Sequence, residues 1–255
     1  MDTVGPFVRA SLDHRTKLAR GRWRIALYPD AGEASAVFQG TAAVSRSFDV
    51  HRPTTGPDPS ADRRARRQIR RYCAANRLVY LWPATYAPTD DGRLDPRRVR
   101  ADIREFFRRL RRVIGRAFPY LLVIEWHKTG HGQHVQFAVA EYMAHPTVRD
   151  VWGHGIVWVS GPRGRTGPDA TLAEARRVAR YVAKYVAKEA AAAGGLHRYE
   201  VAQGFQPRCR VLYAATADGA LLAAADEMGG PPTRKWESRS DAEWAGPPAV
   251  WASWD

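Results

Sequence analysis

The sequence predicts an α+β fold: an antiparallel β-sheet with helices packed on one face and the other face left open. Three observations carry that expectation. Runs such as GHGQHVQFAV, residues 130–139, alternate polar and apolar residues at the period of a half-buried strand. Residues 97–117 place Val99, Ile103, Phe106, Phe107, Leu110 and Ile114 on one helical face, with Arg100, Arg104, Arg108 and Arg112 elsewhere. The order along the chain is strand, helix, two hairpin-linked strands, strand, helix, which suits a sheet with helices to one side.

Each element has its own signal. A strand is expected around Trp23–Tyr28, and ADRRARRQIRRYCAANR reads as a short Arg-rich helix, either a solvated face or a nucleic-acid contact. LVYLWPATYAP reads as a strand whose Pro83 has no N–H to give to a ladder, so it implies an edge or a bulge. YLLVIEWH leads through KTGHG into the strand at 133–139, and GIVWVSG reads as a further strand. PRGRTGPD reads as a basic loop, and a long helix is expected from Leu172 to Ala193, halted by Gly194 and Gly195. The domain reading is a basic N-terminal arm and linker over 1–60, a main domain over 61–215 and a C-terminal extension over 216–255. From Gly229 that extension is Pro-rich, with Trp236, Trp244, Trp251 and Trp254 too sparse for a core, and is expected to be flexible or docked on something.

Composition narrows the partners. The 255 residues are 45% hydrophobic, enough for a real core, and 40 Lys and Arg stand against 26 Asp and Glu for a net charge of +14. A surplus of that size favours a polyanion, because each cation placed near a phosphate releases a condensed counterion. The start lacks the apolar stretch of a signal peptide, and no run approaches the ~18 apolar residues of a membrane span. Cys73 and Cys209 form neither a CxxC pair nor a disulfide framework. A cytoplasmic setting with no membrane partner is the expectation.

Burial fixes the register of the two hairpin strands, since a slip of one residue exchanges core and solvent faces. Leu122, Ile124 and Trp126 must join Val135, Phe137 and Val139. Glu125 and His127 then share the other face with His134 and Gln136. A carboxylate, an imidazole and an amide converging there suit a divalent metal, with oxygen ligands favouring Mg²⁺ or Mn²⁺ and the imidazole extending the choice toward Mn²⁺. The plain alternative is a sheet that wets one face and places polar residues on it. His131 reads as a turn residue rather than a ligand, and His145, His154 and His197 carry no spacing signal.

A second constellation is RYVAKYVAKE, residues 180–189. At about 100° per residue, Tyr181, Tyr185, Lys184 and Lys188 form a polar sector beside a Val178, Val182, Val186 stripe. Both phenols can reach one region, being roughly one turn apart. They can equally be boundary residues that bury rings and expose hydroxyls. The flanking lysines point to chemistry: a phenol with a pKa near 10 is only about 0.1% ionised at neutral pH, so a nucleophilic Tyr needs nearby positive charge.

VIEWHKTGHGQHVQFAV followed by ARRVARYVAKYVAK resembles the HUH endonuclease superfamily, in particular actinobacterial rolling-circle replication initiators with a two-tyrosine Y-x-x-K-Y motif, and the replication proteins of small single-stranded-DNA phages. LHRYEVAQGFQPR is similar to the actinobacterial group, and the resemblance covers roughly residues 63–213. It implies an HUH/RRM-like palm, with metal and DNA on the open face. It implies Tyr181 and Tyr185 as nucleophiles with Lys184 as an electrostatic helper, and His134, Gln136 and Glu125 as ligands of Mg²⁺ or Mn²⁺. The implied reaction is nicking and rejoining of single-stranded or hairpin origin DNA of a plasmid or integrative element through a 5′-phosphotyrosine, with host helicase and polymerase as further partners. Arg66, Arg67, Arg100, Arg104 and Lys188 are the candidate phosphate contacts. Gln136 departs from the family's usual second histidine, and LWPATYAP from its usual first strand; circovirus-type initiators with a His-hydrophobic-Gln motif resemble the former arrangement. The alternatives are a relaxase or transposase of the same superfamily, or a non-catalytic DNA binder with a degenerate metal site.

Overall fold

The computed structural model describes residues 21–40, 59–126, 130, 132–162, 171–188 and 199–255. Along the chain these form β1 (Arg22–Tyr28), β2 (Glu33–Gln39), α1 (Pro59–Ala75), β3 (Tyr80–Ala84), α2 (Pro96–Ile114), β4 (Tyr120–Trp126) and β5 (Gln133–Val139). Then follow α3 (His145–Trp152), α4 (Leu172–Lys188), β6 (Tyr199–Val201), β7 (Arg210–Ala214), α5 (Ala217–Met228), β8 (Arg234–Glu237) and β9 (Ala249–Ser253). The chain divides into two compact units, Gly56–Pro207 and the two flanking segments together.

The flanking unit is a five-stranded antiparallel sheet in the order β7-β1-β2-β9-β8. Trp23, Ile25, Ala36 and Val250 pack with Ala220 of α5, and Leu27, Ala34 and Ala252 pack with Ala224. Small residues on one side of α5 let the helix lie close to the strands. The segment read as an N-terminal arm and linker contains the β1–β2 hairpin, with the strand expected at Trp23–Tyr28, and the extension read as flexible or docked contains α5, β8 and β9. Trp254 is buried among apolar neighbours, and Trp236 meets Trp244 edge to face at 5.1 Å. Strand pairing between the two ends of a chain leaves no local mark in the sequence, so these segments read as separate appendages.

The central unit holds an antiparallel sheet in the order β3-β5-β4-β6. Its hairpin has the register that burial demands, with Leu122 opposite Phe137, Ile124 opposite Val135 and Glu125 opposite His134. Pro83 sits on the edge strand, as expected. Its outer neighbours are Leu81, whose N–H donates to Ser160 O at 2.8 Å, and Thr85, whose N–H donates to Ile156 O at 2.8 Å. Pro83 therefore lacks a donor only in this outer row, and the stretch read as a strand, GIVWVSG, joins β3 through two isolated bridges.

One face of this sheet is sealed by α2 and α3. Asp95 caps α2 by accepting from Arg97 N at 2.8 Å, and Gly115 closes it at φ 78°. Phe106 stacks on Phe137 at 5.2 Å, and Trp152 meets both rings edge on. Helix α3 has no counterpart in the sequence reading, although Pro146 near its start and Gly153 just past its end are its signals.

The opposite face is not left open: α1 and α4 pack together across part of it. The Val178, Val182, Val186 stripe needs an apolar partner, and Leu121, Val123 and Ala138 supply it with Ile69, Tyr72 and Cys73 of α1. The expected α+β fold of antiparallel strands and packed helices is present, with α1 and α4 covering part of the second face.

Candidate functional site

Helix α4 is fixed at its start by a reciprocal cap, in which Thr171 N donates to Glu174 Oε2 at 2.9 Å and Glu174 N donates to Thr171 Oγ1 at 3.2 Å. With the valine stripe packed on β4 and β5, the neighbouring flank brings Tyr181 and Tyr185 to the same apolar cluster as Leu121, Val123 and Ala138. Their rings meet edge to face at 5.3 Å, and Tyr185 Oη donates to Tyr181 Oη at 2.9 Å. Burial, the bond to Tyr181 and the neighbouring Glu125 carboxylate all push the Tyr185 phenol above its ordinary range. That phenol is thus hard to ionise unless positive charge is brought to it.

The polar half of the site comes from the hairpin. Glu125 and His134 face each other across the ladder, and such pairs hold their Cβ atoms about 5 Å apart. Gln136 lies one step along the same face, buried, and its Nε2 donates to Glu125 Oε1 at 2.9 Å. That contact orients the amide, and Gln136 Oε1 is then a buried acceptor with no hydrogen-bond partner among the described residues. A buried carbonyl oxygen left this way costs about 1–3 kcal/mol, which a cation would offset. Among the described residues no group of three or more His, Cys, Asp or Glu is placed to hold a metal ion, so an amide would have to complete any ligand set here. An amide oxygen, an imidazole and a carboxylate on adjacent strands fit Mg²⁺ or Mn²⁺ in chemical type.

The structure thus brings Tyr181, Tyr185, Glu125, His134 and Gln136 to one face of one sheet. Lys184 is exposed on the same helix, between the two tyrosines in the chain. The backbone of Lys188 ends α4, and His127 and His131 lie outside the described residues. Arg66 and Arg67 are exposed on α1, the helix paired with α4. Arg100 and Arg104 lie apart from this group. Their helix packs on the opposite face of the sheet, and Arg100 is ion-paired with Glu200, which faces α2 because it pairs with Leu122. Sequence periodicity places these arginines on the wet side of α2 but cannot show which side of the sheet α2 covers. The reading also missed the Glu125–Gln136 contact, for which Val123 opposite Gln136 was the available signal.

A fold with tyrosines on a helix over a polar sheet face has a counterpart in sequence comparison. The model of the replication-associated protein ORF2 family matches residues 63–190, half of the chain, and the chain belongs to that family. Membership makes initiation of DNA replication its role and DNA its partner. No curated protein and no solved structure matches the chain. Among the described residues no helix is long and apolar enough to cross a membrane.

Proposed function

We propose that the chain nicks and rejoins single-stranded or hairpin DNA at the origin of a plasmid or integrative element, starting rolling-circle replication. The single observation that carries this reading is the pair of hydrogen-bonded phenols on a helix packed over the strands of Glu125, His134 and Gln136. Oη of Tyr181 or Tyr185 loses its proton and attacks the scissile phosphorus. A tyrosyl O–P bond forms, the bond from phosphorus to the 3′ oxygen breaks, and that oxygen takes up a proton as the freed 3′-OH. The product is a 5′-phosphotyrosine, and the 3′-OH primes synthesis. The second phenol cuts again after one circuit, while the first ester persists. Because the ester conserves the bond energy, no nucleotide is consumed. His134, Gln136 and Glu125 would hold Mg²⁺ or Mn²⁺, which when bound supplies positive charge to the phosphate and to a forming phenolate. Lys184 adds charge beside the phenols, and Arg66, Arg67 and Lys188 position the backbone without reading sequence.

The Glu125–Gln136 hydrogen bond favours a second reading, in which the amide and carboxylate satisfy each other and the protein binds DNA without cutting it. An origin-derived oligonucleotide incubated with Mn²⁺ separates the two. Cleavage predicts a covalent protein–DNA adduct that survives denaturation, abolished in Tyr181→Phe/Tyr185→Phe while binding persists. An adduct that forms in the double variant rules these nucleophiles out, and a mobility shift with no adduct in the wild type selects the binder.

A further inference from the structure

Residues 156–160 form an apolar ribbon along the outer edge of the four-stranded sheet. Trp158 N donates to Pro83 O at 3.0 Å and Ser160 N to Leu81 O at 2.9 Å, and bridges pair Leu81 with Ser160 and Ala84 with Val157. This register settles the faces. Val157 joins Ala84 in the aromatic core, so Ile156, Trp158 and Ser160 share the opposite face with Pro83 and Gln136. Gly155 permits the close approach, since a Cβ there would lie 2.4 Å from Thr85 O. Trp158, Pro83 and Gln136 thus form a row across three successive backbones, which at about 4.8 Å per spacing places Trp158 roughly 10 Å from Gln136.

Burial does not account for this ribbon. Val157 and Val159 already supply its inward side, yet Trp158 is 51% exposed and Ile156 58%. A strand edge that needed only solubility would carry polar residues at both positions. Pro83, Thr85, Ile156, Trp158 and Ser160 bear no charge, while the chain as a whole carries +14. A flat indole on an uncharged ledge, within a basic protein and continuous with the polar site, suits the face of a nucleobase whose phosphate lies beside it.

We propose that Trp158, backed by Ile156 and Pro83, is a stacking platform that positions a base of the single strand next to the scissile phosphate; the nicking reading is needed only to say where that phosphate lies. Stacking accepts any base, so the platform would hold the strand without selecting its sequence.

The test uses the full chain carrying Tyr181→Phe/Tyr185→Phe and an oligothymidylate containing 2-aminopurine. Trp158→Ala is expected to weaken binding about tenfold and to diminish the 2-aminopurine quench, while Trp158→Phe restores most of both. Thermal melting should be unchanged, because the indole is exposed. Unchanged affinity and quench in Trp158→Ala overturn the proposal. So does a Trp158→Ala variant that loses self-association in sedimentation while binding DNA normally, which would make the ribbon a contact between copies. Failure of the nicking reading is seen separately, as a missing adduct with the wild-type tyrosines.

Discussion

The two faces of the four-stranded sheet are built from different materials. Against α2 and α3 the sheet presents Trp82, Phe137 and Val135, which meet Phe106, Phe107 and Trp152 in a dense aromatic layer. Against α1 and α4 it presents Leu121, Val123 and Ala138, which meet the valines of α4 with Ile69, Tyr72 and Cys73 of α1. Large rings make up most of the first side. Smaller side chains on the second let two helices settle over one end of the strands, and half-buried Glu125 and His134 with buried Gln136 occupy the other. Stability and chemistry are thus allotted to opposite sides of the same strands.

The sharpest way to break this division is Phe106→Ala, which should cost about 3–5 kcal/mol through lost burial and an unfilled cavity, seen as a large fall in the denaturant midpoint. Gln136→Leu on the other side should change stability by less than about 1 kcal/mol, because removing a buried acceptor without a partner offsets the lost bond to half-buried Glu125. It should nonetheless abolish Mn²⁺-dependent adduct formation, whereas Gln136→His should shift that dependence to lower Mn²⁺. A comparable drop in stability for both leucine and alanine variants would erase the contrast. Arg66→Ala should lower the salt dependence of single-strand binding by about 0.7 in the log–log slope, the loss of one phosphate contact. Arg104→Ala, across the sheet, should leave the slope unchanged.

The smallest effect is in alkali. The Tyr185 phenol is pushed above its ordinary value of 10.0, so above that pH the folded chain keeps a proton that the unfolded chain releases. Its contribution is complete below pH 10 and is lost as pH rises. Tyr185→Phe should therefore make the alkaline decline in melting temperature shallower. Tyr72 and Tyr86, also pushed up by burial, would keep part of that decline.

Local periodicity made much of this legible. Alternation in HVQFAV and LLVIEW is enough to set Glu125 opposite His134, because only one register buries both apolar sets. The valine stripe of α4 likewise marks its buried side. What periodicity lacks is the identity of the partner surface. A polar residue at every second position of a strand reads as a wet face, yet Leu121, Val123 and Ala138 on that same face are covered by α1 and α4. The five-stranded sheet was hidden more deeply, since the partners of Trp23–Tyr28 include residues from the far end of the chain.

That last pairing bears on synthesis. Strands β1 and β2 leave the ribosome before the central unit but must wait for β7 and β9, so their sheet is completed only after that unit has been made. The tyrosine-bearing segment has all its own strands by β6 and can settle earlier. A ribosome stalled after β6 would display a nascent chain whose middle is protease-resistant while its leading hairpin is still unpartnered.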